Sequence, residues 1–274
     1  MSPPMLRLSY NDIHKAIQAS APKIMADFSN PPALGLQLCS GPKAHTHIPG
    51  RKQPESDILT LAAPDLFIAI GGGGFIPARI LRSFCKTSQD GKKRNIPIQA
   101  VGLTLYESLG GVSVGAGWSG EPAFVSPSTT LHSNIFAQIE EVAGNEVVRV
   151  QWIDFSTLGS KLKHGGLLGR RILVIDEVDD TRTTLVYTIR ELQKDIEKQL
   201  SLVEDAAERE RLRAATKLAI FVVHNKLKPK AGEVPEGVQY FAAVDTPDVW
   251  LAYPWECETD IDEHDALRSE NPAI

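Results

Sequence analysis

Cysteine is scarce in this sequence: Cys39, Cys85 and Cys257 are the three in 274 residues, and they lie far apart. This spacing excludes a disulfide-stapled scaffold, offers no zinc-binding pair and predicts reduced thiols. No apolar run approaches the roughly 20 residues that a membrane-spanning helix needs. The first residues lack the apolar core of a signal peptide, and the last residues match no lipidation or peroxisomal signal. We therefore expect a cytoplasmic protein with no membrane partner.

Positive charge is also in deficit. Lys and Arg total 29, Asp and Glu total 34, and the formal net charge is −5. Such a chain repels phosphates except at a local patch, so we expect no nucleic-acid partner. Hydrophobic residues make up 42% of the chain, which is enough for one large core. We predict a single domain over residues 1–274, with insertions at about 29–64 and 108–146, where turn-forming residues accumulate.

Short apolar segments of strand length alternate with helical segments. A helix is predicted over 10–28, with Pro22 as a break, and another over 185–200, followed by a charged, solvated face over 204–213. Fully apolar strands separated by helices favour a parallel sheet of the α/β class. The strands are predicted at residues 66–70, 98–105, 147–155, 172–175, 218–223 and 238–244.

Two unusual loops follow predicted strands, at the sheet edge where α/β proteins bind ligands. Asp176 and Glu177 can accept hydrogen bonds from paired sugar hydroxyls, and the threonines after them crowd a helix start, where unpaired N–H groups bind phosphate. The four glycines 71–74 allow a nest of N–H groups close to a ligand. Together the loops predict a ligand with phosphate at both ends; the alternatives are an acidic turn with threonine caps and a tight strand-to-helix turn.

The glycine loop matches neither of two common phosphate-binding motifs. It is not a dinucleotide fingerprint, because Ile76 or Pro77 stands where the last small residue should pack helix against strand. It is not a Walker A loop, because no Lys-Ser or Lys-Thr follows.

A family resemblance rests on residues 172–184, which read Ile-Leu-Val-Ile-Asp-Glu-Val-Asp-Asp-Thr-Arg-Thr-Thr. This segment resembles the phosphoribosyl-pyrophosphate (PRPP) signature of the type I phosphoribosyltransferases, and its variant is similar to that of the fungal 6-oxopurine enzymes. Residues 95–98 and 260–264 resemble the xanthine enzymes more than the hypoxanthine-guanine enzymes. The resemblance implies a Rossmann-like parallel sheet flanked by helices, with a small hood region. Further matches lie at 69–79, 105–107, 151–154, 224–226 and 250–256.

The resemblance implies roles for the acidic loop. Asp176 and Glu177 would hold the ribose 2′ and 3′ hydroxyls and would meet Mg²⁺, the implied cofactor, indirectly through those hydroxyls or water. Asp180 would stand near purine N7 as the catalytic proton acceptor. Family members often have Gly in place of Arg182, which would add a cation beside the phosphate. The residues implied in binding PRPP and its 5′-phosphate are Asp176, Glu177, Asp179, Asp180, Thr181, Arg182, Thr183 and Thr184.

The resemblance also implies the pyrophosphate and purine contacts. Many relatives have Lys or Arg at the position of Gly72, so Mg²⁺ would meet more of the pyrophosphate charge here. Trp250 would stack on the purine, and the Leu251 backbone would face its C2 edge. A lysine within 226–230 would donate to the 6-oxo group, and Lys228 matches best. The implied pyrophosphate-binding residues are Gly71, Gly72 and Gly73.

The implied activity is that of a purine-salvage enzyme, a pentosyltransferase that moves 5-phosphoribosyl from PRPP to a 6-oxopurine. Xanthine is the favoured base, with hypoxanthine and guanine as alternatives, and a homodimer is usual in the family. The alternative from another class is a PRPP-sensing regulator without catalysis. The net charge of −5 and the lack of a recognisable helix-turn-helix weigh against that alternative, and Asp180 together with Trp250 favours an enzyme.

Overall fold

The computed structural model describes residues 4–29, 63–89, 92–106, 146–158 and 166–272. Both predicted insertions, 29–64 and 108–146, therefore lie almost entirely outside the described residues. Within the described ranges, none of the helices combines the length and hydrophobicity that a bilayer crossing requires.

A six-stranded sheet forms the centre of the fold, and five of its strands run parallel. Its spatial order is β6-β5-β2-β7-β8-β9, with β6 antiparallel to β5 at one edge. The burial of β2, in which every residue is buried, is what a strand covered on both faces requires. The strands are β2 (Leu66–Ile70), β5 (Ile98–Tyr106), β6 (Glu146–Gln151), β7 (Arg171–Asp179), β8 (Lys217–Lys226) and β9 (Gln239–Thr246).

Helices cover both faces of this sheet, which divides the core in two. On one face α1 (Tyr10–Ser29) and α2 (Phe75–Phe84) pack in a cluster with Phe67 and Phe221. On the other face α3 (Thr183–Ser201) and α4 (Ala206–Ala215) pack against alternate residues of the same strands. The predicted α/β class with a parallel sheet is confirmed.

Two small sheets complete the fold. β1 (Met5–Arg7) pairs in parallel with β10 (Trp250–Ala252), and β3 (Lys86–Gln89) forms a hairpin with β4 (Lys92–Asn95). Sequence patterns missed all four strands, because each has only three or four residues and shows no clear alternation. After β10 come a 3₁₀ turn (Pro254–Glu256), α5 (Ile261–Ala266) and a second 3₁₀ turn (Leu267–Glu270).

Four predictions about element boundaries were wrong. The strand predicted over 172–175 continues to Asp179, so Asp176 and Glu177 lie inside β7. Pro22 lies inside α1 and does not break it, because the helix buries its apolar face and leaves Pro22 exposed. The charged stretch 204–213 belongs to a separate helix, which begins after Asp205; the carboxylate of Asp205 caps the N–H of Ala207. The strand predicted over 147–155 ends at Gln151 and is followed by a 3₁₀ turn, Phe155–Leu158.

Candidate active site

The glycine loop and the acidic loop lie side by side at the carboxyl ends of β2 and β7, which are neighbours in the sheet. From β2 the chain crosses to β5 on one side and later returns to β7 on the other. The loops after β2 and β7 therefore flank the topological switch point, where open α/β sheets bind their ligands.

The glycine loop is tight at one end and open at the other. A Cβ on Gly74 would lie 2.5 Å from the carbonyl oxygen of Ile175 and 2.6 Å from that of Ile70, so no side chain fits there. A Cβ on Gly72 would meet nothing within 4 Å. Gly72 thus exposes its backbone to an open space, as an anion-binding loop requires.

The two loops touch each other at Gly73 and Glu177. A Cβ on Gly73 would overlap the carboxylate of Glu177, so the absence of a side chain makes room for this acid. Glu177 Oε2 is buried and has no hydrogen-bond partner among the described residues. An unpartnered carboxylate oxygen at this point can accept a hydrogen bond from a ligand hydroxyl.

Asp176 is the more deeply buried of the two acids, with 8% of its surface exposed. Burial, reinforced by the neighbouring Glu177 charge, raises the pKa of Asp176 well above its usual value. Its Oδ1 accepts the N–H of Glu177 at 3.0 Å. A ligand that donates hydroxyls to this pair relieves the mutual repulsion of the two carboxylates.

Asp180 meets two lysines. Lys228 Nζ lies 2.6 Å from Asp180 Oδ1, Lys226 Nζ lies 3.5 Å from the same oxygen, and Lys228 also contacts Asp248 at 3.1 Å. Burial opposes ionisation of Asp180, but the lysines outweigh it and hold the pKa of Asp180 below its usual value. The sequence pointed to a lysine within 226–230, with Lys228 as the best match; the structure brings both Lys228 and Lys226 to the same carboxylate.

The start of α3 forms a turn built from threonines. Thr181 Oγ1 and Thr183 Oγ1 lie 3.0 Å apart, and the helix begins at Thr183, so its unpaired N–H groups face this turn. Arg182 has φ 69°, the left-handed conformation that costs a non-glycine residue roughly 1–2 kcal/mol. The turn therefore needs contacts that hold it in place.

Asp179 and Arg182 pair with each other at the start of α3. Asp179 is completely buried, and its Oδ2 accepts hydrogen bonds from Arg182 Nε at 2.9 Å and from the Tyr240 hydroxyl at 2.7 Å. The Arg182 guanidinium stacks over the Tyr240 ring, with its carbon 4.9 Å from the centroid. Arg182 thus contacts Asp179 and Tyr240, and these contacts hold the backbone of the turn; its implied place beside the phosphate stays a prediction.

The strand that carries Trp250 and Leu251 is fixed from both ends. Trp250 is 44% exposed, its backbone N–H donates to the Pro4 carbonyl, and Leu251 is buried. Beyond it, the Tyr253 hydroxyl donates to the Glu177 carbonyl at 3.1 Å and accepts from buried His224 Nδ1 at 2.9 Å. This connection between the segment after β10 and Glu177 of β7 had no signal in the sequence, because a tyrosine and a histidine 29 residues apart form no motif.

The described residues contain no group of three or more His, Cys, Asp or Glu side chains arranged to enclose a metal ion. Asp176 and Glu177 nevertheless suit Mg²⁺ in another way, because Mg²⁺ in phosphate sites usually keeps its waters and takes one or two carboxylates together with substrate oxygens. The unpartnered Glu177 Oε2 fits that arrangement.

These features define, first, a class: a doubly wound α/β protein whose switch point is built for a phosphorylated sugar or nucleotide. Comparison with known proteins gives the family. The chain is 42% identical to a hypoxanthine-guanine phosphoribosyltransferase of Schizosaccharomyces pombe, over 97% of this chain and 95% of that one. It is 39% identical to xanthine phosphoribosyltransferase 1 of Saccharomyces cerevisiae, over 95% and 93% of the two chains.

A solved structure adds to these matches. A hypothetical protein from Neisseria gonorrhoeae with bound ppGpp superimposes with a TM-score of 0.56, at 28% identity, over 99% of each chain. No family model matches the sequence. The chain belongs to the purine phosphoribosyltransferases, pentosyltransferases of purine salvage with the type I fold, and the resemblance in its sequence motifs is confirmed.

Proposed function

We propose that this enzyme transfers the 5-phosphoribosyl group of PRPP to a 6-oxopurine, releasing pyrophosphate and a nucleoside monophosphate. Xanthine is the favoured base, with hypoxanthine and guanine as the alternatives. The observation that carries the proposal is that Lys226 and Lys228 both lie close to the Asp180 carboxylate. Together these side chains can recognise the edge of a 6-oxopurine by hydrogen bonds. The relatives do not decide the base, since xanthine and hypoxanthine-guanine enzymes match at 39% and 42% identity.

The acid and the lysines suit adjacent atoms of the purine. A 6-oxopurine presents the O6 acceptor beside N7. A lysine donating to O6 leaves the Asp180 carboxylate to accept the proton at N7, as a general base. Adenine has an amino group in place of O6, so the lysine would be left unpaired, which favours strong discrimination.

The two loops bind the ribose and phosphate groups in this proposal. Asp176 and Glu177 accept the ribose hydroxyls, the turn 180–184 takes the 5′-phosphate, and the glycine loop takes the pyrophosphate. Exposed Trp250 stacks on the base, which contributes about 1–3 kcal/mol without choosing among purines. Choice of base therefore rests on hydrogen bonds.

Mg²⁺ is the proposed cofactor, held through Asp176 and Glu177 by way of ribose hydroxyls or water. When bound, it neutralises charge on the leaving pyrophosphate. The chain's own residues orient the ribose, keep Glu177 Oε2 free for a ligand contact and hold Asp180 ionised beside the purine. Cytoplasmic location and a homodimer stay predictions.

One assay tests the proposal: pyrophosphate release from PRPP and Mg²⁺ with xanthine, hypoxanthine, guanine or adenine in turn. We expect turnover with the 6-oxopurines, fastest with xanthine, and little with adenine. Binding of PRPP without release on any base would favour the regulator alternative. Turnover with adenine as fast as with xanthine would contradict the proposed lysine contact.

A further inference from the structure

Three consecutive carbonyl groups, those of residues 179–181 in the turn before α3 (the phosphate turn), are held by one neighbouring segment. Lys230 Nζ donates to the carbonyl of Asp179 at 2.6 Å and to that of Asp180 at 3.0 Å. The N–H of Ala231 donates to the carbonyl of Thr181 at 2.9 Å. Residues 230–231, which connect β8 with β9, therefore contact the turn along its backbone.

These hydrogen bonds also fix the direction of the N–H groups in the same peptide units. In a planar trans peptide the N–H points away from the C=O of the preceding residue. Holding the carbonyls of residues 179, 180 and 181 turns the N–H groups of Asp180, Thr181 and Arg182 away from Lys230. Successive N–H groups directed to one side form the concave arrangement that binds anions.

A second contact holds the turn through a side chain. Tyr240 lies on β9, its hydroxyl donates to buried Asp179 at 2.7 Å, and its ring lies under the Arg182 guanidinium. Lys230 Nζ also lies 3.5 Å from Asp179 Oδ1. Asp179, a buried acid, thus accepts hydrogen bonds from Arg182 and Tyr240 and pairs with the Lys230 charge, and Arg182 keeps its left-handed conformation beside it.

From these contacts we propose that Lys230 and Tyr240 are positioning residues for the 5′-phosphate of PRPP. They act through the backbone of residues 179–182 and do not touch the ligand. This inference rests on the proposed function, since it concerns the phosphate end of the same substrate. It separates the three lysines: Lys226 and Lys228 meet Asp180 at the base side, whereas Lys230 faces the phosphate turn.

The test is Lys230→Met, with ligand affinity measured by isothermal titration calorimetry. PRPP and ribose 5-phosphate share the 5′-phosphate, whereas inorganic pyrophosphate binds at the glycine loop. We expect Lys230→Met to weaken ribose 5-phosphate and PRPP binding by about tenfold and to leave pyrophosphate binding unchanged. Lys194→Met, at an exposed lysine on α3, is the matched control and should bind all three ligands as the wild type does.

Two further variants protect the test against a folding defect. Lys230→Arg keeps donors for both carbonyls and should recover most of the affinity for ribose 5-phosphate. Tyr240→Phe keeps the ring under Arg182, removes one hydrogen bond to Asp179 and should weaken the same ligand by about threefold.

The outcomes distinguish this inference from the proposed function. Unchanged ribose 5-phosphate affinity in Lys230→Met, or an equal loss of pyrophosphate affinity, would overturn the positioning role. If Lys230→Met does not fold, unchanged ribose 5-phosphate affinity in Tyr240→Phe would overturn the positioning role. A wild-type protein that binds neither PRPP nor ribose 5-phosphate would instead contradict the proposed function.

Discussion

Lys228 Nζ lies 2.6 Å from Asp180 Oδ1, and this ion pair sets the charge of the proposed general base. Lys226 approaches the same oxygen at 3.5 Å. The pair keeps Asp180 ionised but also makes it a weaker base, so its strength depends on where the lysines point when a purine is bound.

Asp180→Asn should lower kcat by about 10²–10⁴, because an amide cannot accept the N7 proton. PRPP affinity should change far less, since the ribose and phosphate contacts remain. Steady-state turnover and PRPP titration calorimetry give the two values. Equal turnover in variant and wild type would remove Asp180 from the mechanism.

Lys228→Met should shift the acid limb of the pH–rate profile to higher pH. Burial favours protonated Asp180 and the lysines oppose it, so losing Lys228 raises the pKa of Asp180. The ionised form is the active base, so activity fails sooner as pH falls. Profiles of kcat from about pH 4 to pH 8 would show the shift. Lys194→Met serves again as the control, and an unmoved limb would mean that Lys226 alone sets the pKa.

Lys226→Ala and Lys228→Ala should differ in base selectivity. Removal of the lysine that donates to O6 should reduce the preference for xanthine over adenine. Removal of the other lysine should mainly change the pKa of Asp180. Comparing kcat/KM for both bases in each variant identifies the donor. Unchanged selectivity in both would exclude a lysine at O6.

Much of this site was predictable from local sequence, and the reasons are physical. The strand at 66–70, the glycines after it and the acid pair near the end of β7 all lie within single continuous segments. The clamp of Asp179 by Tyr240 joins residues 61 positions apart, and the lysine contacts join residues about 50 apart. No period or motif marks such pairs, because the sheet order alone brings them together.

The positions at which helices and strands end also depend on tertiary contacts. β7 continues through Asp176 to Asp179, although acids disfavour strands, because β8 pairs with it as far as Asn225. Pro22 stays helical because α1 packs Ile17 and Ile24 into the core on its other side. In both places packing outweighed local propensity.

The effect of glycine-to-alanine changes on stability in the loop after β2 should depend on the space available for a Cβ at each position. Gly74→Ala should lower the free energy of unfolding by about 3 kcal/mol or more, since its Cβ meets backbone oxygens. Gly72→Ala, where the Cβ meets nothing, should leave stability nearly unchanged. Urea denaturation compares them, and equal losses would refute this account of the loop.

Arg182→Gly should be more stable than Arg182→Ala by about 1 kcal/mol, because only glycine adopts φ 69° without strain. Both variants lose the pairing with Asp179, so the comparison isolates the backbone. Thermal unfolding of the two proteins gives the difference. If alanine matched glycine, the left-handed turn would not be a source of strain.

Acid should destabilise the protein through His224. Burial lowers the pKa of His224 to about 4, so as pH falls from about 6.5 toward 4 the unfolded chain takes up a proton that the folded protein does not. This loss amounts to on the order of 3 kcal/mol. His224→Asn, which cannot titrate, should flatten this part of the stability curve. A variant that keeps the full slope would assign it to other groups.

The pairing of Met5–Arg7 with Trp250–Ala252 has a consequence during synthesis. The ribosome releases the first of these strands almost a whole chain length before its partner. Until residue 252 has emerged, nascent β1 lacks its pairing partner β10. If Trp250 stacks on the base as proposed, ligands that depend on this contact should associate only after β10 has been synthesised.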